Sequence, residues 1–155
     1  MKRTYQVLAF LIALEVMVQA TAIAWGLFGF SDWIDAGNTF SKEDLDCDDC
    51  DWNFTSERGF MIHGINGFMI IPAISLIFLI VSFFAKIPGG VKWAFGLFVL
   101  VIIQSQFLPG LSHEFGSGFG ALHGLNALVI FAVAVMAGKR VKAATESTPE
   151  VPAAV

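Results

Sequence analysis

The sequence predicts an all-α protein, a four-helix transmembrane bundle, and three observations support this fold class. Of its 155 residues, 56% are hydrophobic and 14% are charged, whereas soluble domains contain roughly 25% charged residues. Four apolar stretches come close to or exceed the ~20 residues that a membrane-spanning helix needs. They cover about 5–30, 60–85, 91–108 and 119–138. A short pattern also recurs after 60 residues, which indicates a duplicated helical hairpin.

The distribution of charge predicts how this bundle lies in the membrane. Seven of the nine Lys and Arg residues stand at the N-terminus, between the second and third spans, or just after the last span. The positive-inside rule makes these segments cytoplasmic. Nine of the thirteen acidic residues stand in the connection 31–59, which is then an acidic outer loop. We therefore expect a multi-pass domain of the cell membrane over 1–142, with both termini cytoplasmic and a disordered tail over 143–155.

The first span carries polar side chains where lipid should surround it. Glu15 lies ~18 Å beyond the basic start at helical rise, and Gln19 follows one turn later. A carboxyl group at that depth is costly and indicates a function. Either it is protonated and hydrogen-bonded to a neighbouring helix, or it handles protons or binds a partner. The basic start and the Ala20-Thr21-Ala22 triplet also fit a secretory signal, yet we expect a retained first helix.

The acidic outer loop contains the only two cysteines, Cys47 and Cys50. Outside the cytoplasm we expect them to be oxidised, as a disulfide that staples the loop. A redox-active pair and a metal site with the surrounding aspartates are the alternatives. A calcium loop does not match, because Asp49 stands where that loop needs Gly and Thr55 where it needs Glu.

The middle of the chain contains the signals for two further helices and the turn between them. Pro72 is expected to kink the second span. The segment 87–90, Ile-Pro-Gly-Gly, predicts a tight turn, so the second and third spans should be antiparallel neighbours. Gln104 is polar late in the third span and should seek a partner on another helix. Pro109 and Gly110 are then expected to end that span at Leu108.

The repeated pattern heads the second and fourth spans. It reads Phe-Met-Ile-His-Gly-Ile-Asn-Gly over 60–67 and Gly-Ala-Leu-His-Gly-Leu-Asn-Ala over 120–127. In each copy His and Asn, at i and i+3, share one helix face, and the Gly between them leaves room for a flat or large group. The residues concerned are His63, Gly64, Asn66, His123, Gly124 and Asn126. Because Gln19 and Gln104 precede these copies in similar positions, a pseudo-twofold axis would make His63 and His123 face each other.

Two facing imidazoles predict a site for haem b. Such an iron has both axial positions filled, so it carries electrons and does not bind oxygen. Asn66 and Asn126 would orient the ligands. The depths do not match at first sight: His63 precedes Lys86 by 23 residues and His123 precedes Lys139 by 16, which is ~10 Å at helical rise. A kink, a tilt or a longer last helix would remove the mismatch; otherwise His63 would pair with His113.

Other interpretations of these residues lead to other functions. The His and Asn side chains can be interhelical hydrogen bonds without a cofactor, or they can bind copper or zinc together with His113 and the acidic loop. The main hypothesis is an electron-transfer protein or an accessory subunit of a redox complex. Its expected partners are membrane redox subunits, a second copy of the chain or a quinone; nucleic acid is not an expected partner. The alternatives are a cofactor-free assembly subunit that docks through its acidic loop, and a thiol oxidoreductase using Cys47 and Cys50.

From about residue 5 to residue 142 the chain resembles a family of small bacterial four-helix membrane proteins of unknown function. The matching residues are His63, Gly64, Asn66, Gln104, His123 and Asn126. The resemblance implies the four-helix architecture and assigns no activity. The long acidic loop is an addition to the pattern.

Overall fold

Four long helices form most of the protein. The computed structural model describes residues 1–45 and 55–146. The helices are α1 (Lys2–Asp35), α2 (Glu57–Ala85), α3 (Gly90–Phe115) and α4 (Ser117–Glu146). Each of them is long and apolar enough to cross a membrane, and the described ranges contain no strand. The predicted fold class, an all-α bundle of four such helices, is confirmed.

The helices are arranged as a square. α1 packs against α2 and α4, and α3 packs against the same two helices. The two helices that carry the repeated pattern, α2 and α4, therefore lie diagonally opposite each other. Large side chains such as Tyr5, Phe78 and Leu97 are fully buried between the helices. Others such as Phe28 are mostly exposed on the outside, as expected for helices whose outer faces contact lipid.

The turn between α2 and α3 lies at the same end of the bundle as the N-terminus. Lys86 and Gly89 adopt left-handed backbone conformations, with φ values of 53° and 71°. Arg140 of α4 donates from Nη2 to the Pro88 carbonyl at 3.0 Å and lies 5.3 Å from the Trp93 ring centre. These contacts fix the predicted tight turn against the last helix.

The prediction that Pro109 and Gly110 end the third span at Leu108 is wrong. α3 continues as a helix to Phe115, and the chain turns at Gly116, whose φ is 101°. A π-helical segment, Ile103–Phe107, comes directly before the proline. The wider π turn leaves room for the proline ring, which would otherwise clash with the preceding turn. α2 passes through Pro72 in the same way, after the π-helical segment Asn66–Ile70.

The helices at both ends of the chain are longer than predicted. α1 extends from Lys2 to Asp35. α4 continues to Glu146, so the expectation of disorder over 143–146 is wrong. Two alanines in this stretch favour helix, which explains the continuation. The rest of the expected tail, 147–155, lies outside the described residues.

Part of the acidic loop between α1 and α2 is also helical. A short helix, Lys42–Leu45, is preceded by Ser41. The backbone N–H and the hydroxyl group of Ser41 donate to the Asp44 carboxylate at 2.7 and 2.9 Å, and they hold the pKa of that carboxyl below its usual value. Cys47 and Cys50 lie outside the described residues, so the disulfide and its alternatives stay predictions.

Candidate functional site

The structure brings the two repeated histidines together in the bundle. The ring centres of His63 and His123 are 6.2 Å apart, and the ring planes are inclined by 53°. A longer last helix was expected to reduce the depth mismatch, and α4 does continue past Lys139 to Glu146; α2 also contains a π segment. Both histidines belong to the end of the bundle opposite the termini.

His113, the alternative ligand, does not join them. Its side chain is 89% exposed, and its Nδ1 lies 4.0 Å from the Glu114 carboxylate. It is absent from the residues that line the cavity beside His63 and His123. The pairing of His63 with His113 is therefore not what the structure shows.

A cavity of about 620 Å³ lies beside the two histidine rings. Small-molecule and cofactor sites have volumes of about 300–1,000 Å³. All four helices line the cavity, and most of the lining residues form pairs at matched positions of the two halves. These pairs are Val16 and Val101, Gln19 and Gln104, Ala20 and Ser105, Ile23 and Leu108, His63 and His123, Gly64 and Gly124, Gly67 and Ala127, and Phe68 and Leu128. The two hairpins thus contribute equivalent surfaces.

Each histidine is held by a glutamine from the neighbouring helix. Gln19 of α1 donates from Nε2 to the His63 carbonyl oxygen at 3.0 Å. Gln104 of α3 donates from Nε2 to the His123 carbonyl oxygen at 3.0 Å. The same residue types make the same bond in both hairpins, as expected if one hairpin was duplicated.

The two imidazole rings differ in their hydrogen bonds. Nδ1 of His63 lies 3.2 Å from the Gln19 carbonyl oxygen. Because a carbonyl only accepts, this hydrogen bond selects the tautomer with its proton on Nδ1; in that neutral tautomer Nε2 has the lone pair that binds metals. Nδ1 of His123 is buried without a hydrogen-bond partner. A buried polar atom in this state costs about 1–3 kcal/mol, so its presence needs an explanation.

The two asparagines also bond to the neighbouring helix, but with different partners. Asn126 donates from Nδ2 to the Leu100 carbonyl at 3.1 Å and to Gln104 Oε1 at 2.8 Å. Asn66 donates from Nδ2 to the Glu15 carboxylate at 2.9 Å. Glu15 thus accepts a hydrogen bond from a neighbouring helix, and its protonation stays a prediction.

The glycines that follow the histidines leave open space. A Cβ atom built on Gly64 or on Gly124 would meet no atom within 4 Å. Glycine inside a helix is less stable than alanine by about 1 kcal/mol. No neighbouring atom would obstruct an alanine side chain at either position, so helix packing does not explain why these residues are glycine. Both glycines line the cavity, so the room they leave is available to a bound group.

Sequence reasoning missed the two π-helical segments and the apolar lining. Asn66–Ile70 and Ile103–Phe107 both contribute residues to the cavity, and π segments frequently occur at functional sites. The matched lining pairs could have been found in the sequence. Residues of α1 match residues of α3 that lie 85 positions later, as Gln19 and Gln104 do, and residues of α2 match residues of α4 that lie 60 positions later. Superimposing the two halves at these shifts identifies the apolar pairs.

The protein donors at this site are two imidazoles. The described residues contain no group of three or more His, Cys, Asp or Glu side chains arranged to hold a metal ion. Protein sites for zinc and copper use three or four such ligands. Haem iron needs only two from the protein, because the porphyrin supplies the other four. The donor set therefore fits haem better than a bare metal ion.

Comparisons with protein-family models, curated proteins and solved structures find no match for this chain. The class that the fold defines is an all-helical bundle with four helices long and apolar enough to cross a membrane.

Proposed function

We propose that this protein is a membrane electron-transfer protein, or an accessory subunit of a membrane redox complex, that binds one haem b between His63 and His123. The observation that carries the proposal is the 6.2 Å separation of the two ring centres beside a cavity of about 620 Å³. Free space at Gly64 and Gly124 supports it, since a porphyrin ring needs flat, unobstructed surfaces next to its axial ligands.

The separation agrees with the size of an iron held by two imidazoles. A metal–imidazole bond is about 2.0 Å long, and the ring centre lies about 1 Å behind the bonding nitrogen, so two ligands across one metal have centres about 6 Å apart. The hydrogen bond from His63 Nδ1 to the Gln19 carbonyl leaves Nε2 for the metal. Phe68 and Leu128 provide matched apolar surfaces in the same cavity.

Two axial histidines define the chemistry. A haem held by both His63 and His123 would supply electron transfer and would not activate oxygen. The side chains of this chain would supply the axial ligands, an apolar wall and the hydrogen bonds that fix the ligand orientation.

The location of the site determines which partners are needed. By the positive-inside rule, the end of the bundle that carries His63 and His123 faces outward. Both ligands lie at that end, so this chain by itself does not carry electrons across the membrane. A quinone, a membrane redox subunit or a second copy of the chain would complete the path.

Absorption spectroscopy of the purified protein tests the proposal. We expect a Soret band and the low-spin spectrum of bis-histidine haem, with stoichiometric haem after reconstitution. His63→Ala and His123→Ala should each abolish the low-spin spectrum, because each removes an axial ligand. His113→Ala is the matched control and should leave the spectrum unchanged, since its side chain is exposed.

Two outcomes would overturn the proposal: protein that binds no haem from cells or from added haemin, and a spectrum that neither histidine variant changes. With the first outcome the chain would be a cofactor-free subunit, and deleting residues 41–51 should disrupt a complex while the histidine variants leave it intact.

A further inference from the structure

The two halves of the site differ at one matched position. Asn126 of the second half donates to the backbone carbonyl of Leu100. Asn66, its counterpart, donates to the side chain of Glu15, which corresponds to Leu100 after the shift of 85 positions. One half therefore contains an ionisable carboxyl group where the other has an apolar residue.

The half that contains Glu15 also lacks hydrogen-bond donors. Gln104 Oε1 accepts a hydrogen bond from Asn126 at 2.8 Å. The equivalent atom, Gln19 Oε1, is buried without a partner, and so is Asn66 Oδ1. Buried acceptors without donors are rare and costly. A proton on Glu15 would add an O–H donor to this group of acceptors.

No basic side chain stands near Glu15 along its own helix, because residues 4–41 contain neither Lys nor Arg. On α2 and α4, the helices packed against α1, the titratable residues lining the cavity are His63 and His123. The other charged residues of α2 and α4 whose side chains the structure describes stand toward the helix ends: Glu57, Arg58, Lys86, Lys139 and Arg140. A charge on Glu15 would therefore interact mainly with the charge of the redox centre, weakly screened in an apolar surrounding.

Contacts between α1 and α2 connect Glu15 to the ligand His63. Gln19 lies one helical turn after Glu15. It donates from its side chain to the His63 carbonyl, and its own carbonyl contacts His63 Nδ1. Asn66, one turn after His63, bonds to Glu15. The carboxyl group and the ligand thus occupy successive turns of one interhelical contact.

We propose that Glu15 is the proton acceptor that couples reduction of the centre to proton uptake, an inference that rests on the proposed haem function. With haem held by His63 and His123, an electron supplied by a quinol or a partner redox protein would be matched by one proton, which the Glu15 carboxylate would take from water to become a neutral carboxylic acid. Oxidation releases the electron to the acceptor and the proton to water. The total charge of the site stays constant, which lowers the cost of reduction inside the membrane.

Redox titration of the haem-loaded protein at several pH values tests this coupling. For one electron coupled to one proton, each tenfold change in proton concentration shifts the midpoint potential by about 59 mV. We expect the wild-type potential to rise by up to this amount per unit decrease in pH. Glu15→Gln keeps the size of the side chain but removes its charge. The midpoint potential of the haem in this variant should therefore be independent of pH and equal to the value that the wild type has at low pH.

Glu114→Gln provides a matched control, because that carboxylate is 73% exposed; its titration should follow the wild type. Infrared difference spectra of reduced minus oxidised wild-type protein should contain a protonated-carboxyl band that Glu15→Gln lacks. A wild-type potential that does not change with pH overturns the inference, as does an unchanged slope or infrared band in Glu15→Gln. Both of these refuting results are measured on protein that contains haem. They are therefore distinguishable from failure of the proposed function, in which the protein gives no haem spectrum.

Discussion

The glycines beside the two histidines allow a test in which stability and cofactor binding change in opposite directions. A Cβ on Gly64 or Gly124 meets nothing within 4 Å. Alanine at either position should therefore stabilise the haem-free protein through its higher helix propensity, by about 1 kcal/mol per site. The two sites are measured separately, because both glycines line the same cavity and their effects need not add. A gain of about 1 kcal/mol corresponds to a rise in Tm of about 2–4 °C for a chain of this size.

Larger side chains at the same positions should have the opposite effect on haem. Leucine at residue 64 or 124 would project into the cavity next to an axial ligand and take the space required by the porphyrin. We expect the Leu variants to remain folded and to lose most of their haem. Thermal unfolding of haem-free protein in detergent measures the first effect, and Soret absorbance per polypeptide measures the second.

A third glycine serves as the control for close helix packing. A Cβ on Gly59 would lie 2.6 Å from the backbone nitrogen of Gly26 and would also contact the Ala22 carbonyl. Because backbone cannot move aside, Gly59→Ala should destabilise the protein by about 1–3 kcal/mol. The reasoning is refuted if alanine at 64 and 124 lowers the Tm as Gly59→Ala does, or if the leucine variants retain full haem content.

Two further predictions concern hydrogen bonds between helices. Gln19→Leu and Gln104→Leu each remove a bond to a histidine carbonyl and should lower the free energy of unfolding, by about 1 kcal/mol for Gln19→Leu. The loss should be larger for Gln104→Leu, because Gln104 Oε1 also accepts a bond from Asn126. Both variants should weaken haem binding, as measured by haem titration alongside unfolding in detergent. Tyr5→Phe removes the buried bond from Tyr5 Oη to the Gly90 carbonyl, 3.2 Å long, and should cost about 1 kcal/mol without changing the haem spectrum, because this bond lies at the opposite end of the bundle.

Much of the fold follows from the sequence, because hydrophobicity determines which segments form the long helices. Length and apolar content predict the four spanning helices, and the Pro-Gly-Gly turn predicts the pairing of α2 with α3. The helix ends were less predictable. Pro109 normally ends a helix, but the π segment before it lets α3 continue to Phe115. A π turn depends on the packing around it, so local sequence does not reveal it.

The histidine pair was predictable for a different reason. The 60-residue repeat placed His63 and His123 at equivalent positions, and symmetry then made them face each other. The depth estimate that opposed this pairing counted residues from Lys86 and Lys139 as if both marked the same level. The structure contradicts that estimate, because the two ring centres are 6.2 Å apart. The partners of Glu15 and Gln104 depend on helix rotation, which hydrophobicity does not fix within an almost uniformly apolar chain.

The alternative to the proposed haem site is that the repeated residues only join helices through hydrogen bonds. Gln19 and Gln104 bond to the backbone carbonyls of residues 63 and 123, and any amino acid at those positions would provide the same acceptor. Helix joining therefore accounts for the glutamines. It also accounts for the His63 imidazole, whose Nδ1 bonds to the Gln19 carbonyl of α1, but not for the His123 imidazole. It also offers no reason for a buried His123 Nδ1 without a partner, or for two helical glycines facing open space. Under the proposed function, a planar cofactor ligated by both rings would account for the imidazole pair, the glycines and the cavity together.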